Sequence, residues 1–106
     1  MWEKNKNSWY KWDNDKLVGS IIYHPQGDKN WRWYSVQIHP MNGGIICIGK
    51  VPGIQAEMNM DNLELEKEFD ARPAQAIIDL ALSENKDFEW WQRNYRKWWN
   101  ENTVYT

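Results

Sequence analysis

A chain of 106 residues, 42% hydrophobic and 26% charged, has room for one hydrophobic core and is too apolar to be disordered by composition. Its net charge of −2 argues against a dedicated DNA-binding protein, and its single cysteine, Cys47, excludes an internal disulfide and a cysteine-based zinc site. No charged segment leading into an apolar run opens the chain, and the longest apolar run, Ile45 to Ile48, is too short to span a membrane, so a cytoplasmic protein is expected.

In chain order, residues 1–8 are polar apart from Trp2 and read as a flexible arm. Residues 9–51 read as a β-meander. Trp9 to Asp13 is a short aromatic strand, Asn14-Asp15 a turn pair, and Leu17 to His24 a second strand. Pro25 to Asn30 is a loop. Trp31 to His39 is the clearest strand, because aromatic and β-branched residues dominate it. Pro40 to Gly44 is a turn and Ile45 to Val51 a fourth strand, closed by Pro52-Gly53. Asn62 to Phe69 alternates, with Leu63, Leu65 and Phe69 facing one way and Glu64, Glu66 and Glu68 the other. Period two suggests a fifth strand there, although its Glu and Lys content also suits a helix.

Residues 71–100 form the helical part. Asp70 is placed to cap a helix with Pro73 in its first turn, and Ala74, Ile77, Ile78, Ala81 and Leu82 make one apolar stripe. Ser83 to Asp87 is a polar run, so the helix either kinks near Glu84 or breaks before a second one that starts from Asp87. Residues 1–106 are therefore expected to form a single α+β domain. It is an antiparallel meander sheet of four to five strands, packed on one face by a helix and followed by a Trp-rich C-terminal helix.

Symmetric hairpins would set His24 opposite Trp31, Ile22 opposite Trp33 and Ser20 opposite Ser35. One face then collects Ile21, Tyr23, Tyr34, Val36, Ile38, Ile46 and Ile48, and is the core face under the Ile77/Ile78 helix. The other collects Trp9, Lys11, Trp31, Trp33, Ser35 and Gln37, with Ser20 and Cys47. Flat rings among small polar groups suit a protein partner, a stacked base or a planar ligand, unless the C-terminal helix folds over them. A slip of one residue would exchange the two faces.

Nine tryptophans in so short a chain are many for one core, and some are expected at a surface or a partner. Charge is polarised: residues 1–53 carry seven bases to four acids, residues 54–106 six to eleven. The acidic run holds Glu57, Asp61, Glu64, Glu66 and Glu68, which could imitate phosphates toward a basic partner. Trp90, Arg93, Arg96 and Lys97 give the last helix a basic, aromatic character that suits a protein groove, a nucleic acid or a second copy.

No constellation marks an enzyme. His24 and His39 fall at opposite ends of one hairpin, no phosphate loop or dinucleotide fingerprint is present, and Cys47 lies in an apolar strand. No cofactor and no metal is expected. The expected function is a small non-enzymatic protein-binding module, of the make-up common among phage accessory and counter-defence proteins. The alternatives are nucleic-acid or nucleotide binding on the sheet, and a homodimer or larger homo-oligomer built through the Trp-rich helix.

Overall fold

The computed structural model describes residues 1–24, 33–52 and 70–104. They form five strands and two helices: β1 (Trp2–Asn5), β2 (Ser8–Asp13), β3 (Lys16–His24), β4 (Trp33–Ile38), β5 (Ile46–Pro52), α1 (Arg72–Ser83) and α2 (Phe88–Asn102). The strands make one antiparallel sheet in the order β1-β2-β3-β4-β5. The α+β meander with a Trp-rich last helix is thus the observed architecture. The fifth strand comes from the N-terminus, and residues 62–69 lie outside the described residues.

The N-terminal segment is a strand and not a loose arm. Lys6 takes up a left-handed conformation (φ 59°), which turns the chain in two residues so that Asn5 faces Ser8. Met1 and Trp12 then exchange backbone hydrogen bonds of 3.1 and 2.9 Å, so the ladder runs to the first residue.

Both helices lie on the same face. Gly19 pairs with Ile38 and Gly49 with Val36, two positions on one side of β4. A Cβ on Gly19 would stand 2.7 Å from Cγ2 of Ile78 in α1, and one on Gly49 would overlap the Trp99 ring of α2. Glycine at these points lets the helices come down onto the sheet. Beneath them Ile21, Val36, Ile38 and Ile48 are at most 1% exposed, and Ala74, Ile78 and Ala81 of α1 and Trp91, Trp98 and Trp99 of α2 close the core. Each large apolar side chain buried in this way contributes roughly 1.5–3 kcal/mol.

The α1–α2 break has a local cause. Asn85 adopts φ 57°, a conformation asparagine tolerates and a helix interior does not. The amides of Glu84 and Asn85 close on the carbonyls of Ala81 and Leu82. Asp87 then caps α2 by accepting from the Trp90 amide at 2.9 Å. Across the break, Trp98 Nε1 donates to Glu84 Oε1 at 3.0 Å. The expected Asp70 cap is displaced by one position: Ala71 is the N-cap, and Asp70 accepts from the Arg72 amide (3.1 Å) and guanidinium (2.9 Å). The side-chain bond from Arg72, foremost, holds the Asp70 carboxyl at about 2.

The turn before β5 seats the start of α2. The Phe88 amide donates to the Met41 carbonyl at 2.8 Å, and Gly43 lies directly beneath the Phe88 ring. Replacement of Gly49 by Ala should therefore lower stability by about 1–3 kcal/mol, because the Trp99 ring must move. Gly44→Ala meets open space and should change it by about 0.5 kcal/mol or less. Urea unfolding of both variants checks this; equal midpoints would show that α2 does not rest on Gly49.

Candidate functional site

The face away from the helices is built from four strands in crossing rows. Tyr10, Ser20, Gln37 and Cys47 form one row. Ile22, Ser35 and Lys50 form the next, and His24, Trp33 and Pro52 the third. Its centre is polar and buried: Ser20 is 2% exposed and Ser35 4%. Ser20 Oγ donates to Gln37 Oε1 at 3.3 Å, and Ser35 Oγ is hydrogen-bonded to His24 Nε2. Around these small groups stand half-buried Tyr10, Ile22 and Trp33, while His24, Cys47 and Lys50 are exposed.

Trp33, Ser35 and Gln37 occupy the face expected of them. The hairpin register differs from the symmetric one by two residues, since His24 faces Trp33 and Ile22 faces Ser35. An even shift leaves every side chain on its original side.

Trp9 and Lys11 do not belong to this face. A symmetric turn at Asn14-Asp15 would set Trp9 opposite Ser20 and Lys11 opposite Val18. A bulge between Lys11 and Trp12 passes over Val18, so Lys11 faces Gly19 and Trp9 faces Ile21. That one-residue step turns both side chains to the helix side. There Trp9 packs edge-on against Tyr34 (ring centroids 6.1 Å apart), and Lys11 pairs with Asp79 of α1. Tyr10 takes the place expected for Trp9. A second bulge, between Val36 and Gln37, passes over Ile48. It keeps Ile46, Ile48 and Val51 toward the core and leaves Cys47 and Lys50 outside. Trp31 and the acidic residues Glu57, Asp61, Glu64, Glu66 and Glu68 lie outside the described residues.

The C-terminal helix is docked. Trp91 packs edge-on against Trp90 and Trp98 at 5.0 and 5.2 Å, and Trp90 also lies under Lys86. On its outer surface Arg93 and Lys97 are matched one turn away by Glu89 (2.9 Å) and Glu101 (3.9 Å), and Arg96 lies against the Tyr95 ring. The basic surface expected from Arg93, Arg96 and Lys97 is thus partly neutralised within the helix.

Sequence reasoning passed over Tyr10, His24 and Lys50. The register that brings in Tyr10 and Lys50 depends on the two bulges, for which the sequence carries no signal beyond Gly19 and Gly49 beside them, whereas His24 keeps the side that the symmetric register gives it. The histidines fall at opposite ends of the hairpin, with His24 opposite Trp33 and the His39 amide bonded to the Val18 carbonyl at 3.0 Å. Among the described residues His24 is hydrogen-bonded to Ser35, and no carboxylate is paired with it. Cys47 donates to the Gly49 carbonyl at 3.4 Å. No cluster of three His, Cys, Asp or Glu side chains is placed to hold a metal among the described residues. None of the described helices is long and apolar enough to cross a membrane. A shallow cleft of about 410 Å³, lined by Pro73, Ile77 and residues 101–104, lies on the helical layer. It gathers no ring and no cation.

Comparison with family models, with curated proteins and with solved structures returns no match for this chain.

His39 carries a distinct liability. Its Nε2 is buried with no hydrogen-bond partner among the described residues. Burial, and then the positive charge of Lys16, hold its pKa below the ordinary 6.5. The unfolded chain therefore takes up a proton more readily than the folded one, and stability should fall as the pH drops below about 6.5. Between about pH 7.5 and about pH 5.5 the urea midpoint should drop more for the parent than for His39→Leu. Equal drops would place the acid sensitivity at another group.

Proposed function

We propose that this chain is a non-enzymatic protein-binding module that presents the face of its sheet opposite α1 and α2 to a partner. The one-sided placement of α1 and α2 carries this reading. It leaves Tyr10, Ile22 and Trp33 standing around hydrogen-bonded Ser20, Ser35 and Gln37, with no described helix above them. Rings and aliphatic groups around satisfied polar groups, with few charges, are the composition of protein interfaces at their centre.

Nucleic acid fits this face less well. Phosphate contacts need a row of cations, and the rows described above hold one, Lys50, besides His24. Stacking needs several rings, and Trp9 has turned to the other side. Self-association through the last helix is also less favoured, because Trp91, Trp98 and Trp99 are 1–6% exposed and already packed within the chain. A reducing, cytoplasmic setting belongs to the same proposal and rests on the single, exposed Cys47.

The test is affinity capture from the native host with and without nuclease, using the parent, Ile22→Lys and the double variant Arg93→Ala/Lys97→Ala. A discrete protein should persist after nuclease, fall at least tenfold with Ile22→Lys and stay with the helix variant. Near-UV circular dichroism checks that Ile22→Lys keeps its packing. Loss of all retention on nuclease treatment would make nucleic acid the ligand and overturn the reading.

A further inference from the structure

Taking the sheet face as a protein-binding surface, we infer that its Trp33 end receives a carboxylate of the partner, held between His24 and Lys50 beside Ser35. The partner is thus an acidic segment, with an Asp or Glu flanked by an apolar side chain.

The inference rests on how charge is distributed over this face. Lys50 is the direct cross-strand partner of Ser35, and Ser35 is bonded to His24 on the opposite side. The imidazole of His24 and the ammonium of Lys50 therefore flank one buried hydroxyl across three adjacent strands. Neighbouring strands lie about 4.8 Å apart, so the His24 and Lys50 backbones are separated by roughly 10 Å, a span that a carboxylate between their side chains can bridge. Both residues are exposed, so their outer hydrogen-bonding capacity faces solvent.

Among the described residues, the carboxylate that the register places on this face is Glu3 of β1, opposite Tyr10 of β2 at the far edge. It is four strand spacings from β5, roughly 19 Å away, beyond the screening length of physiological salt. Lys11 cannot serve as a rival cation, because it lies on the other side and is paired with Asp79. Arg93 and Lys97 are on α2 and are matched by Glu89 and Glu101. Lys50 thus has no carboxylate partner among the described residues, and Trp33, diagonally across from it, brings apolar ring surface to the same end of the face.

The experiment is selection of a random dodecapeptide library against the immobilised full chain, followed by affinity measurement of the enriched peptides. The panel is the parent, Lys50→Glu, Lys97→Glu and Ile22→Lys. The expected result is enrichment of Asp or Glu next to aromatic or aliphatic residues. Binding should fall at least tenfold with Lys50→Glu and stay within twofold with Lys97→Glu, which makes the same charge change on α2. Peptides without an acid, or indifferent to Lys50→Glu but lost with Ile22→Lys, would overturn the carboxylate site and leave the protein-binding face standing. Peptides indifferent to Ile22→Lys would overturn both. Displacement of an enriched peptide by adenosine monophosphate at an equal concentration would show that the site takes a phosphate, and would overturn the inference in favour of a nucleotide.

Discussion

The contact between Trp99 and the bare backbone of Gly49 governs the arrangement of the molecule. An indole can reach the strand only where no Cβ intervenes, and β5 offers that gap opposite Val36. With Trp99 seated there, α2 is drawn onto the side of the sheet that α1 already occupies through Ile78 and Gly19. Two helices on one face make a core thick enough to exclude water from Ile21, Val36, Ile38 and Ile48. The same placement leaves the other face without a described helix.

Tryptophan is used here chiefly as core material. Trp91, Trp98 and Trp99 are buried, and the Trp90–Trp91–Trp98 series is held edge-to-face. The one polar atom of the Trp98 ring finds Glu84 at the end of α1, so the indole also ties the two helices together. At the other margin, Trp2 and Trp9 lie under Lys11 and Lys4 at 5.9 and 5.0 Å, which lets these lysines cover aromatic surface. The abundance of indole in so small a protein therefore has a structural explanation for most of its members, and the argument for recognition narrows to Trp33, Tyr10 and Ile22.

Charge is arranged with similar economy. Lysines and arginines on the helix side find carboxylates, as in Lys11–Asp79, Arg72–Asp70 and Arg93–Glu89. These pairs are largely exposed and add little to stability individually. Their effect is to neutralise part of the helical surface, where Lys86 and Arg96 lie against the Trp90 and Tyr95 rings, while Lys50 and His24 are exposed on the opposite side. His39 is the exception: its Nε2 is buried without a hydrogen-bond partner among the described residues, and burial together with the charge of Lys16 disfavours its protonation.

The sequence by itself determined the class of the fold, most of the strands, the apolar stripe of α1 and the identity of the core face between β3 and β4. Those rest on local propensity and period, which a change of register by two residues does not disturb. It also marked Trp33, Ser35 and Gln37 as neighbours on one surface. Only the tertiary structure decided that Trp9 and Lys11 belong to the helix side, that Tyr10 and Lys50 belong to the open side, and that residues 2–5 pair as a strand. The reason is physical. A bulge at Val18 or Ile48 moves one residue out of the ladder, and its energy depends on what packs above the helix-side face, on Trp99, Ile78 and Asp79 from helices distant in sequence. No local pattern encodes that balance, and one residue is enough to exchange the faces.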